Sequence, residues 1–269
     1  MNAPDIFLLP DIQSAPDGRA LAIDRAGIKS LRHPITVERP DGTGQPTVAT
    51  FDMYVALPAH VKGTHMSRFV AIAAALEAPL SVAGFRALME RMLERLEAES
   101  GYIEARFPYF VTKRAPESGV ESLMDYEVTF RAEAAPARGY EFTLTVGVPV
   151  TSLCPCSKEI SEYGAHNQRS HVTVAATLGG DVAIAELVAL AERHASCELY
   201  GLLKRPDEKW VTERAYDNPK VVEDLVRDVA LELQRDPRIL AFTVESENFE
   251  SIHNHSAYAL IRRDKRAAA

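Results

Sequence analysis

What the chain has little of narrows it first. Cysteine occurs three times, an odd number, and two of the three, Cys154 and Cys156, are separated by one residue, so a disulfide framework is excluded. No Cys-x-x-Cys pair occurs, which argues against a closed four-ligand zinc site. Basic excess is missing as well: 30 Lys and Arg stand against 38 Asp and Glu, a net charge of -8. A general nucleic-acid or membrane-surface binder would show a basic face. Any anionic substrate therefore needs a local positive island. Neither common glycine-rich phosphate loop is present. No cationic-then-apolar leader opens the sequence, and no apolar run approaches the roughly 20 residues of a membrane helix. The expected setting is the reduced cytoplasm.

What is present is an ordinary folding composition, 46% hydrophobic and 25% charged over 269 residues, enough for one large or two modest domains. Residues 1–32 are rich in Pro, Asp and Ala and read as an N-terminal arm. Ile35–Glu38 and Thr47–Leu57 read as strands around the turn Asp41-Gly42-Thr43-Gly44. Ser81 is placed to cap a helix carrying Phe85, Leu88, Met89, Met92, Leu93 and Leu96 at helical spacing. Strands follow over Tyr102–Thr112 and Leu123–Ala132.

The second half repeats the plan. Strands are expected over Tyr140–Val150 and His171–Leu178, a helix over Val182–Ser196, and a helix opened by Asn218-Pro219 as cap and first residue. Ile239–Glu245 and Ser256–Arg262 close as strands. This order predicts an α+β fold of antiparallel sheet and segregated helices, with a first unit over 33–135 and a second over 136–269.

Chemistry concentrates between Thr151 and His171. Cys154 and His166 are good ligands for a borderline divalent metal, and with no second cysteine pair an open site suits them better than a closed one. The alternative is a polar turn with a buried thiol. Pro155 biases Cys154 to extended geometry and stiffens the link to Cys156, favouring one fixed thiol over a redox pair. Cys197, late in a helical stretch, reads as packing.

Three further groups matter. Glu250 and His253, in the turn Glu245–His255, suit a general acid/base pair, a metal shell, or simply a solvated acidic tip. The charged segment Lys204–Trp210 reads as surface, with the single Trp at an edge, and Glu223 reads as a first-turn helix carboxylate. Turned into a pocket, Glu223 would match a donor–donor edge such as guanine N1–H and N2–H₂. Lys62, His65, Ser67 and Arg68 suit an anion such as phosphate, or a polar turn before a helix.

Together, Cys154-Pro-Cys-Ser-Lys158, Gly164-Ala-His-Asn-Gln-Arg169, Gly63-Thr-His-Met-Ser-Arg-Phe69 and Glu250-Ser-Ile-His253 resemble the type IB GTP cyclohydrolase I family, over about Asp24 to Arg262. The thiol loop is the specific part. The resemblance implies tandem tunnelling-fold (ββααββ-like) units, antiparallel sheet with helices on one face, assembled as a homotetramer around a β-barrel tunnel with active sites at subunit interfaces. It implies a cytoplasmic hydrolase acting on C–N bonds of cyclic amidines, converting GTP and water to 7,8-dihydroneopterin triphosphate and formate at the start of tetrahydrofolate synthesis. Carried over, Cys154, His166 and Glu208 hold one divalent metal (zinc, manganese or iron), Glu223 anchors guanine, and Glu250 and His253 shuttle protons. Lys62, His65, Arg68 and Lys158 are triphosphate candidates by charge alone.

Two other readings stand beside this one. A nitrile reductase of the same superfamily would use Cys154 as nucleophile and need NADPH, which His166 at ligand spacing and the Glu250/His253 turn disfavour. A non-catalytic protein with a structural metal would melt in a metal-dependent way and turn over no purine nucleotide.

Overall fold

The computed structural model describes residues 11–13 and 15–268. Nine strands follow the hydrogen-bonded order β1-β2-β3-β4-β5-β6-β8-β9, with β7 on β5. They are β1 (Ile23–Glu38), β2 (Gly44–Leu57), β3 (Gly101–Arg114), β4 (Glu121–Ala135), β5 (Gly139–Leu153), β6 (Asn167–Leu178), β7 (Cys197–Glu198), β8 (Ile239–Asn248) and β9 (Ala257–Asp264). Among the described residues six α-helices accompany them: α1 (Met66–Ala74), α2 (Val82–Leu96), α3 (Pro155–Ile160), α4 (Ile184–His194), α5 (Arg205–Asp217) and α6 (Val222–Arg235). The first pass along the chain is strand, strand, helix, helix, strand, strand. The second repeats it with α3, β7 and α5 added. The chain forms two compact units, Met1–Ala105 with Arg131–Glu141, and Arg106–Phe130 with Phe142–Ala269.

In the first unit, β1 and β2 form a hairpin whose turn is set by Asp41: its Oδ1 accepts from the Thr43 N–H at 2.9 Å, while Gly42 takes φ +77°. Such a carboxylate–backbone bond mimics a turn and stabilises it locally. β1 starts at Ile23, earlier than the alternation at Ile35 predicts. Its early part is bulged between Ile28 and Leu31, which hides the period of two. Ser30 sits there at φ +61°, and its N–H donates to buried Asp52 at 2.7 Å. The part of the predicted arm over residues 1–10 lies outside the described residues. Ser81 caps α2 as expected, accepting from Gly84 N–H at 3.1 Å. Phe85, Leu88, Met89 and Met92 are buried on its inner face. A methyl on Gly101 would fall 2.7 Å from the Met92 terminal methyl, so β3 begins close against the side chains of α2.

In the second unit β5, β6, β8 and β9 are antiparallel neighbours, and α4 and α6 pack on them. α6 buries Val222, Leu225, Val226, Val229 and Leu233, each contributing about 1.5–3 kcal/mol by leaving water. Asn218-Pro219 does not open α6, however. Asn218 caps the C-terminus of α5, its side-chain N–H donating to Ala195 O at 2.8 Å, and α6 starts at Val222. The cap-then-proline pattern also suits the end of a helix, where proline stops continuation.

The register of the second unit decides where polarity lies. Val146, Val174 and Val244 are in register and buried; one step along are Val148, Val172 and Ser246, then Val150, Ser170 and Asn248, then Ser152 and Gln168. The same inner face thus turns from valine to serine and amide within a few residues. These groups are satisfied in part by one another, Ser152 and Ser170 hydroxyls at 2.6 Å and Ser246 Oγ to Asn248 Oδ1 at 3.2 Å. A buried polar row is costly unless paired, so this one marks the end of the sheet where chemistry is prepared. Among the described residues no helix is long and apolar enough to cross a membrane.

Candidate active site

The polar row leads to the loop between β5 and β6. Leu153 and Asn167 are the last register pair of that hairpin, so Cys154 and His166 are the next residues facing each other across its neck. Three bonds close the neck. The Cys154 N–H donates to His166 O at 3.1 Å, the Ser157 hydroxyl donates to Cys154 O at 3.2 Å, and the same Ser157 oxygen accepts from the His166 N–H at 3.3 Å. Inside the loop lies α3, opened by Cys154 as N-cap in extended geometry with Pro155 at its first position. The Cys154 sulfur accepts from the Ser157 N–H at 3.4 Å, the position a capping oxygen normally takes. Cys154 is half-buried, Cys156 exposed and Cys197 buried, and all three are free thiols. Burial pushes the Cys197 thiol up to about 12, in keeping with a packing role.

His166 is joined by residues from β6 and from the turn after β8. Its Nδ1 lies 2.9 Å from Gln168 Oε1, 3.5 Å from Ser251 Oγ and 4.0 Å from Glu250 Oε2. Glu250 is brought there because the β6–β8 ladder continues past its last pair, Phe249 N–H donating to Arg169 O at 2.9 Å, with the Phe249 ring edge-on to His171. Glu250 is thus brought to the imidazole side of the Cys154–His166 neck, at one end of the second unit. His253 lies further along the same turn, exposed, its ring stacked on His255 at 5.1 Å.

The segment Lys204–Trp210 is helical rather than a linker, being the start of α5. Trp210, Val211 and Ala215 pack on Leu153, Ala165 and Cys197, so the helix leans on the residues adjoining Cys154 and His166. Its N-terminus is held by Asp207, which is fully buried. The Asp207 carboxylate accepts from the Glu117, Ser118 and Lys204 N–H groups at 2.9, 2.8 and 2.8 Å and from the Ser118 hydroxyl at 2.6 Å. Burial alone would raise its pKa, but these hydrogen bonds hold it well below the usual carboxylate range. Glu208, the next residue, is exposed on the first turn. Glu223 is likewise exposed, on the first turn of α6.

The cationic candidates have structural partners. Lys158 donates to Tyr216 O at the end of α5 and stands over the Tyr216 ring at 4.1 Å. In the first unit, His65 N-caps α1 and pairs with Asp11 at 3.2 Å, and Arg68 donates to Arg95 O at 3.1 Å. Lys62 is exposed just before them.

A sequence model of the type I GTP cyclohydrolase folE2 family matches residues 9–259. The chain belongs to this family. It is 62% identical, over the whole of both chains, to the GTP cyclohydrolase FolE2 of Azoarcus sp. (strain BH72). It is 64% identical, over 97% of each, to the FolE2 of Paraburkholderia xenovorans (strain LB400). In fold it resembles the uricase of Arthrobacter globiformis, at TM-score 0.51 and 10% identity over 89% of this chain and 93% of that one. A hyperthermostable urate oxidase mutant from Bacillus sp. TB-90 gives TM-score 0.53 at 11% identity, over 91% and 99%. At such identities the likeness concerns the fold alone, the α+β tunnelling fold expected from the sequence.

For a folE2 family member the site must also be weighed as a metal centre. Thiol and imidazole hang from one neck with a carboxylate beside the imidazole, and this donor set suits a borderline divalent cation. Among the described residues no three of His, Cys, Asp and Glu converge closely enough to form a ligand cluster. Cys154 and His166 are joined there through their backbones, and Glu250 lies beside the imidazole. Sequence reasoning missed Ser157, Gln168 and Asp207, since each acts through its fold neighbours. Only the capping position of Asp207, three residues after Lys204 and beside Pro206, left a trace in the sequence.

Proposed function

We propose that the chain carries out the GTP cyclohydrolase I reaction, GTP and water giving 7,8-dihydroneopterin triphosphate and formate, the first step of tetrahydrofolate synthesis, and that it does so as the type IB enzyme. The observation that carries the reading is the closed neck holding Cys154 and His166 together in a chain of this family. Cys154, His166 and Glu208 would hold one divalent metal (zinc, manganese or iron). Bound there, a divalent cation would supply water of pKa lowered towards about 7 for attack on C8 of the purine at neutral pH.

The remaining steps fall to the chain's own side chains. Glu223 accepts from guanine N1–H and N2–H₂ and so orients the base. Glu250, already beside His166, and His253 move protons to N7 or N9 as the imidazole ring opens and formate leaves. Lys62, His65, Arg68 and Lys158 supply the positive island for the triphosphate that the net charge of -8 demands. A reducing, cytoplasmic setting keeps Cys154 a thiol able to bind metal.

The assembly is a homotetramer with active sites at subunit interfaces, built from tunnelling-fold units over 33–135 and 136–269. Two features support it. Among the described residues strand β9 ends the sheet order with an unpaired edge, and on the Cys154 loop Ile160 and Tyr163 stand 85% and 97% exposed. The test is an anaerobic assay of formate release from GTP with a panel of divalent metals, beside elemental analysis. Stoichiometric metal and chelator-sensitive turnover are expected. Undiminished formate release after exhaustive chelation would overturn the reading.

A further inference from the structure

Gln168 stands at a position from which it controls His166. We propose that it is a positioning residue that fixes the proton of His166 on Nδ1 and so presents Nε2 as the lone-pair nitrogen for the metal. The proposal rests on the reading of His166 as a metal ligand.

Residues two apart in a strand point to the same side, and Gln168 follows His166 by two at the start of β6. The Gln168 side chain is buried, in register with Ser152 and next to the Ser152–Ser170 hydroxyl pair. It has little freedom to leave. Its Oε1 lies 2.9 Å from His166 Nδ1, and a carbonyl oxygen can only accept. Nδ1 therefore carries the hydrogen. The opposite amide orientation, with NH₂ facing Nδ1, would require Nδ1 to be an acceptor. That would set its lone pair towards the Glu250 carboxylate at 4.0 Å, an unfavourable pairing of two acceptors. Ser251 Oγ at 3.5 Å is a hydroxyl that can donate or accept, and so suits either tautomer.

With Nδ1 donating to Gln168 Oε1, Nε2 is left as the available base. A neutral imidazole binds metal through its unprotonated nitrogen, and the partner of the opposite N–H sets which one that is. The arrangement gives Glu250 a second task besides proton transfer, as an outer acceptor facing the His166 ring.

The test uses the full-length protein and zinc as probe. Gln168→Met keeps length and bulk but removes the acceptor; Gln168→Glu keeps an acceptor at the same place. Zinc affinity is measured by competition with a chromogenic chelator, the His166 tautomer by imidazole nitrogen NMR of the zinc-free protein, and folding by melting of the zinc-free protein. Gln168→Met should weaken zinc binding by roughly 10–100-fold, the usual effect of losing an outer partner of a ligating histidine, and should mix the two tautomers. Gln168→Glu should stay within a few-fold of the parent. At saturating zinc, the KM for GTP of Gln168→Met should match the parent, since the substrate contacts are untouched.

Parent-like zinc affinity in Gln168→Met would overturn the proposal, as would an Nε2–H tautomer in the unsubstituted protein. That second measurement decides the matter even if Gln168→Met does not fold. If the unsubstituted protein takes up no stoichiometric zinc or other metal, the metal reading of the site fails, while the tautomer still reports on Gln168.

Discussion

The backbone N–H of Cys154 donates to the carbonyl of His166 at 3.1 Å, one step beyond the Leu153–Asn167 pair. The bond makes the two residues a continuation of the β5–β6 ladder rather than two points on a free loop. The thiol and imidazole are thus brought together at the cost of ordering a hairpin neck, and the loop between them can vary without separating them.

Replacing Cys154 by Ala should abolish formate release while leaving the fold intact, because its N–H and not its sulfur closes the neck. The loss should exceed the roughly 10–100-fold typical of removing an outer partner, and bound metal should fall with it. Activity assays, metal analysis and circular dichroism on the same preparation decide this. Parent-like turnover in Cys154→Ala would sink the site assignment.

Ser157→Ala removes the hydroxyl that bridges Cys154 O and His166 N–H. A half-buried N–H loses its partner, a change of about 1 kcal/mol in stability. Hydrogen exchange at the His166 amide should accelerate, and metal affinity should drop modestly. Unchanged exchange at that amide would mean another group closes the neck.

Asp207 makes stability pH-dependent in acid. Its folded-state pKa lies below the ordinary 3.8 because hydrogen bonds from Ser118, Lys204 and Glu117 outweigh burial. The folded state then binds fewer protons than the unfolded one in that range. Its contribution is complete above about pH 4 and is lost as pH falls through the depressed folded value. Asp207→Asn should melt lower than the parent at neutral pH, and the gap should narrow as acid is added. A constant gap from pH 7 to pH 3 would contradict the linkage.

Trp210→Ala should loosen α5 from the neck. The ring is only partly buried against the Leu153–Cys197–Ala215 cluster, so the cost should be about 2 kcal/mol, below the ~3–5 kcal/mol of a fully buried ring. Urea unfolding measures the stability. Turnover should fall more than stability alone explains, because Glu208 rides on the same helix.

Much of this was legible in the residues. Helix α2 announces itself through Ser81 and the spacing of Phe85, Leu88, Met89 and Met92, and α6 through Val222, Leu225, Val226 and Val229. Periodicity of this kind is local, so a short window suffices to read it. Helix α5 was not legible as a helix, because it has no continuous apolar stripe. What holds it is the buried carboxylate of Asp207 and the packing of Trp210, Val211 and Ala215, whose partners, such as Ser118 and Leu153, lie far away in the chain.

The same division runs through the site. The sequence alone determined the chemistry on offer: a thiol and an imidazole between two strands, a carboxylate–histidine turn, scattered cations, and too little positive charge for anything but a local anion pocket. Tertiary structure decided which of these meet. Strand register, which depends on hydrogen bonds between residues remote in sequence, set His166 opposite Cys154 and carried Glu250 to the imidazole. The buried side of α5 made Asp207 structural and left its neighbour Glu208 outside.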